Sequence, residues 1–296
     1  MIGKLELVAD QRCTIGEGPV WDAASRTVYW VDVIENAIHA LDTSNGKVLS
    51  MNVGQNTGSI ALRKKGGLVA ALQHGFFIVD MRDGSMEQIQ DPESDRPENR
   101  FNDGKCDCQG RFWAGTMSKK LDTGSGDSGP VGNVYCLDAD WRVVKKIDNI
   151  TLSNGMGWSP DNRIFYYIDS ATNTVAAYNF VPETGEISDR RVVVRLPRGF
   201  VGMPDGMCVD AEGMLWVALW GGGGIVRWNP STGDILQRLD MSMPNVTSCA
   251  FGGERLDELY ITTARLGTDT ELCPLAGGLF KVKPGVQGLP SFSFAG

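Results

Sequence analysis

The sequence predicts an all-β protein, a six-bladed β-propeller, and three observations carry that prediction. A turn followed by a short strand with an aromatic or branched residue at its centre recurs six times. A second strand pattern follows each copy, in the same alternating order. No long segment shows a convincing 3.6-residue apolar period, so almost no helix is expected.

The first pattern is centred on Trp30, Val69, Trp113, Tyr166, Trp216 and Tyr260, at a mean step of 46 residues. It reads SRTVYWVD, KGGLVAAL, QGRFWAGT, DNRIFYYID, EGMLWVAL and LDELYITT. The second pattern reads NAIHALDTSNG, GFFIVDMRDG, GNVYCLDAD, NTVAAYNFVPETG, GGIVRWNPSTG and GGLFKVKPGVQG. Short β-branched and aromatic runs bounded by Gly, Asp, Asn and Pro are strands between turns. The chain holds 37 Gly in 296 residues, well above the usual ~7%, which suits many tight turns. A repeat of roughly 40–50 residues with about four short strands marks a propeller blade. One blade cannot bury both its faces, whereas radial packing buries them and leaves only short edges. The chain therefore reads as one propeller domain over residues 1–296. Leu5 to Val8 is expected to add a strand to the last blade and close the ring.

Composition excludes several functions. The net charge is −8, from 28 basic and 36 acidic residues, with no long basic cluster. Such a chain repels a phosphate backbone, so no nucleic-acid partner is expected. Seven Cys cannot all pair internally, and free buried thiols in a reducing compartment are expected. The segment MIGKLELVAD lacks the apolar core of a signal peptide. No stretch approaches the ~20 apolar residues of a membrane span. The expectation is a cytoplasmic protein without membrane contact, a monomer or weak homo-oligomer.

Four segments place polar residues in Gly- or Pro-rich surroundings. They are GEGPVW with Glu17, NRFNDGK with Arg100, Asn102 and Asp103, LSNGMGWSPD with Asn154, and MPDGMCVD with Asp205. Glu17 precedes Trp30 by 13 residues, Asn102 precedes Trp113 by 11, Asn154 precedes Tyr166 by 12 and Asp205 precedes Trp216 by 11. A constant offset within a repeat means one position in the blade, so these side chains are expected to meet near the axis. Any single Asn-Gly or Asp-Gly reads first as a hairpin turn; the shared offset makes the four a site. Glu, Asp and Asn supply hard oxygen donors, which favour Ca²⁺, Mg²⁺ or Mn²⁺ and admit Zn²⁺ or Fe(II). The chain has only two His, His39 and His74, and neither lies in these segments.

These motifs resemble the senescence marker protein / gluconolactonase / luciferin-regenerating family. The similarity runs through GEGPVWD, NRFNDGK, AGTM, SNGMGWS, FYYIDS, PDGMCVDAEGMLWVA, TSCAFGG and AGGLFKV, across nearly the whole chain. The resemblance implies a six-bladed propeller, one divalent cation and hydrolysis of a sugar lactone. It assigns Glu17, Asn154 and Asp205 to the metal and Arg100 and Asn102 to the lactone, with Asp205 also as acid/base. Asp103 goes with the substrate-side group, as a partner of the direct contacts or as a turn residue. The family's substrate-side acid in the loop after AGTM has no evident counterpart. That loop reads SKKLDTGSGDSGP, with Lys119 and Lys120 near the place, and residues 118–130 are expected to bear on substrate choice.

The implied chemistry is a polarised lactone carbonyl attacked by water, with Asp205 moving the proton. Three readings compete with it: a non-catalytic calcium-binding regulatory protein, a related metal-dependent esterase or phosphotriesterase, and a protein-interaction propeller of WD type. The last lacks a regular Trp-Asp series. The run Gly221 to Gly224 is expected to be a tight hairpin, since no Lys-Ser/Thr follows it as in a phosphate loop. Cys106 and Cys108 are expected on opposite faces of one strand. Trp220 and Phe200 are candidate walls of the substrate pocket, with core packing the alternative for both.

Overall fold

Each copy of the first sequence pattern becomes the second strand of a blade, and each copy of the second pattern becomes the third. The structure is a computed structural model, and it describes residues 3–123 and 129–296. Among the described residues six four-stranded antiparallel sheets form a six-bladed β-propeller. Helix is confined there to two 3₁₀ turns, Lys119–Thr123 and Ser170–Thr172. No helix in this region is long and apolar enough to cross a membrane.

The innermost strands are Gly16–Asp22, Thr57–Leu62, Asn99–Cys106, Ser153–Trp158, Met203–Val209 and Val246–Gly252. They are buried almost throughout, because both faces and one edge lie against protein. The outer strands, such as Lys47–Asn52 and Ser85–Gln90, alternate exposed and half-buried residues, as an edge facing water should. Between blades the pattern centres Trp30, Val69, Trp113, Tyr166, Trp216 and Tyr260 are buried. Each such side chain contributes about 2–3 kcal/mol of apolar burial. Two of the tryptophans are also tied by carboxylates. Asp107 accepts from Trp113 Nε1 and Asp210 from Trp216 Nε1, both at 2.9 Å.

Both chain ends serve the ring. Glu6–Ala9, one residue later than expected, pairs with Leu279–Val282 and becomes the outer strand of the last blade. After Val282 the chain turns onto one face of the ring. Gly288 bridges Asp210, and Phe294 bridges Arg63 on the far side. Between them Leu289, Pro290, Ser291 and Phe292 cover a cavity of about 290 Å³ at the tunnel's lower end. Phe294 is fully buried. No sequence pattern announced this crossing.

The seven cysteines are free. Cys106 ends an innermost strand and is buried, but Cys108 lies beyond it in the following turn. The expectation of one strand with two opposed thiols is therefore corrected: residues two apart in a strand share a face, and here the strand stops at Cys106, with Asp107 capping the turn by accepting from Gln109 N and Arg111 N. Gly221 to Gly224 is the expected hairpin, with Gly221 and Gly223 at positive φ.

Candidate metal centre at the tunnel mouth

Every innermost strand breaks its pairing register at the same level. The irregularities fall at Glu17/Val20, Thr57/Ser59, Phe101/Gly104, Ser153/Met156, Pro204/Met207 and Val246/Ser248. A bulge re-aims the side chains beside it and often sits next to a site. Asn102, Asp103, Asn154 and Asp205 fall inside these breaks, Glu17 stands at the edge of one and Arg100 is paired with Met117 just before one; none lies in a hairpin turn. The similar sequence offsets thus reflect the bulge level shared by four blades. Gly155 and Gly206 are required at this level by close approach. A Cβ on Gly155 would stand 2.7 Å from Asp205 O, and one on Gly206 would stand 2.5 Å from Ser248 Cβ.

Glu17, Arg100, Asn102, Asn154 and Asp205 line one cavity of about 150 Å³ at the upper tunnel end. Asp103 does not join them; it lines the lower cavity together with Lys105. Trp220 lines the upper cavity, as one of the two expected readings had it. Phe200 does not, and packs its ring on Trp228 at 6.1 Å instead.

Two further residues of this cavity carry chemistry that the sequence did not disclose. Asp122, on the 3₁₀ turn after AGTM, forms a two-point ion pair with Arg100: Nε to Oδ2 at 2.8 Å and Nη2 to Oδ1 at 2.6 Å. An acid of the loop after AGTM thus reaches the cavity, a position for which the sequence offered no evident candidate. Lys119 instead pins its backbone to Glu98 O at 2.9 Å, and Lys120 faces a different surface pocket. Residues 124–128 of the loop expected to bear on substrate choice lie outside the described residues. The second is Ser170, on the other 3₁₀ turn, which touches both Asn154 and Pro204.

The buried polar groups are connected. Arg100 Nη1 donates to Asn102 Oδ1 at 2.7 Å. Asn102 Nδ2 donates to Ser153 O at 2.7 Å and to Asn154 Oδ1 at 3.1 Å. Glu17 Oε2 accepts from Gly18 N at 2.7 Å.

Negative charge is in excess here. Glu17, Asp103 and Asp205 are all buried. Burial pushes the Glu17 carboxyl well above the usual carboxylate range, and the charges of Asp205 and Asp103 push the same way. Burial, with Asp103, also pushes Asp205 well up. Burial raises Asp103, against the opposing pull of Lys105. The nearest guanidinium, Arg100, is already paired with Asp122. No three His, Cys, Asp or Glu side chains gather into a metal cluster among the described residues. The donor set at the mouth is two carboxylates and an amide oxygen. Those are hard donors that suit Ca²⁺, Mg²⁺ or Mn²⁺, and a dication placed among them would offset the repulsion that raises the carboxyls. The residues therefore fit a divalent cation.

Known proteins resemble this chain over nearly its whole length. Residues 15–265 match the family described as SMP-30/Gluconolactonase/LRE-like region. Regucalcin of Xenopus laevis is 40% identical over 297 residues, covering 99% of both chains. The solved luciferin-regenerating enzyme superposes with a TM-score of 0.92 at 33% identity, covering 99% of each chain. The calcium-binding protein regucalcin of Agrobacterium tumefaciens gives a TM-score of 0.92 at 27% identity, covering 99% of this chain and 97% of that one. The fold, the shared extent and the sequence identity lead to one conclusion: this chain belongs to the SMP-30/gluconolactonase/LRE-like family.

Proposed function

We propose that the protein hydrolyses a sugar lactone, of the aldonolactone class, with the help of one divalent cation. The observation that carries the reading is the convergence of Glu17, Asn154 and Asp205 with Arg100 and Asn102 in one buried cavity. Family membership supports it, since gluconolactonases give the family part of its name.

Glu17, Asn154 and Asp205 would hold the cation and leave other coordination positions open, as catalytic sites do. When bound, the cation would polarise the lactone carbonyl and lower the pKa of a water molecule. The chain's own groups do the rest. Arg100, held in place by Asp122, and Asn102 orient the sugar hydroxyls by hydrogen bonds. Asp205 takes a proton from the attacking water on a carboxylate oxygen and returns it to the ring oxygen as the ester bond opens. Asp103 lies below and acts on the site by its charge, not by contact. Trp220 gives the cavity an apolar wall for a sugar ring face.

A second reading, calcium binding without catalysis, is favoured by the calcium-binding regucalcin of Agrobacterium tumefaciens. One assay separates the two. Purified protein with Ca²⁺, Mn²⁺ or Zn²⁺ and gluconolactone should acidify an unbuffered medium above the spontaneous rate, and Asp205→Ala should abolish the excess. Cation binding with no excess hydrolysis across a panel of aldonolactones would favour the binding reading.

A further inference from the structure

A carboxylate offers oxygen to a cation whichever way it turns, but an amide does so in only one of two orientations. Asn154 is the only amide in the donor set proposed above, so something must select its orientation. A chain of hydrogen bonds across three blades supplies the selection.

The chain begins at Arg100, which can only donate. Its Nη1 therefore requires an oxygen on Asn102, 2.7 Å away. That turns Asn102 Nδ2 toward Ser153 O, a carbonyl that can only accept, and toward Asn154. Asn154 must then present Oδ1 to Asn102 and Nδ2 to Ser170 Oγ, at 2.9 Å, with the second NH₂ proton on the Asp205 carboxylate. The other end gives the same answer independently. Ser170 Oγ lies 2.6 Å from Pro204 O, which can only accept. The single hydroxyl proton is committed there, so Oγ has only lone pairs left for Asn154. Both ends agree on one polarity, and its members are buried: Arg100 3%, Asn102 7%, Asn154 3% and Ser170 1% exposed. An amide oxygen carries two lone pairs; Asn102 uses one of them, and the other is free for a cation.

We infer that Ser170 is a positioning residue that locks the Asn154 amide so that its oxygen, not its NH₂, faces the cation. Pro204 precedes Asp205 on the neighbouring innermost strand, so the same hydroxyl also ties the amide ligand to the strand of a carboxylate ligand. This rests on the metal site proposed above, and the test separates the two.

The measurement is the Kd for Mn²⁺ by titration calorimetry on chelator-stripped protein, with the Tm of each stripped variant as a folding control. Ser170→Ala should weaken Mn²⁺ binding by about 10-fold or more, as loss of a group that orients a ligand does. In the Asn154→Asp background the same Ser170→Ala change should alter Kd by less than about twofold, because a carboxylate needs no orienting. Equal weakening in both backgrounds, or no weakening in either, would overturn the lock. Absence of stoichiometric Mn²⁺, Ca²⁺ and Zn²⁺ binding to the unaltered protein would overturn the metal site itself and the lock with it.

Discussion

Arg100 and Asp122 form the tightest charged contact in the upper cavity, with side chains 3% and 12% exposed. A hydrogen bond to a charged group contributes about 1.5–3 kcal/mol. Asp122→Ala should release the guanidinium from its position and raise KM for an aldonolactone roughly tenfold, with a smaller change in kcat. Steady-state kinetics at fixed cation concentration checks this. The three buried carboxyls make a second prediction. Their pKa values are raised in the folded, cation-free protein, so the folded state keeps protons that the unfolded chain releases above about pH 4. Their contribution to stability is greatest below that pH and falls as pH rises toward the folded values. Glu17→Gln removes one such group and should raise the cation-free Tm more at pH 7.5 than at pH 5. A saturating cation should raise the Tm of the unaltered protein at pH 7.5, and a chelator should reverse the gain. Thermal melts with and without Ca²⁺ test both statements.

Among the elements, the strand Glu6–Ala9 has the most consequence for its length. Four residues complete the last blade by pairing with Leu279–Val282. Removing residues 1–9 leaves Leu279–Val282 as a bare edge and uncovers buried Cys13 and Leu279. The Tm should fall by about 10 °C or more, as several kcal/mol lost from a large domain would require; an unchanged melt would show that the closure contributes nothing. The innermost strands show what could be read from residues alone. Their polar residues were legible because all four stand 11 to 13 residues before a bulky strand centre. Asp122 and Ser170 were not. Each sits on a 3₁₀ turn, and such short turns have no periodicity to read. Their partners, Arg100 and Asn154, lie 22 and 16 residues away, joined by no motif. Asp103 shows the opposite failure. It adjoins Asn102 in sequence, but successive strand residues face different ways, and it serves the lower cavity.

At the scale of the whole molecule the two tunnel ends differ. The upper end is lined by donors and arginine, while the lower end is covered by the final segment of chain. That segment is fastened by backbone bonds from Ala211 N to Gln287 O, Phe294 N to Leu62 O and Lys64 N to Phe294 O. Its anchor is Phe294, whose ring meets Trp141 at 5.5 Å. Phe294→Ala should cost about 3–5 kcal/mol of stability. It should leave Mn²⁺ affinity within about twofold, because the anchor lies at the other end of the tunnel from the donor set. Urea denaturation and titration calorimetry measure the two effects. The ring itself was legible because six repeats announce themselves. The crossing was not, since the residues from Pro284 onward carry no alternation and take their structure from the face they cover.

The shared last blade also has a consequence for synthesis. A ribosome adding about 5–20 residues per second makes the strand Glu6–Ala9 about 270 residues before its partner Leu279–Val282. For roughly 15–60 seconds that strand has nowhere to dock, and Cys13 stays uncovered until Leu279–Val282 has been made. The earlier blades can stack as they emerge, but the circle shuts only once Leu279–Val282 has been made. Premature termination anywhere upstream would therefore yield an open arc with two sticky edges, a natural substrate for chaperones and proteases.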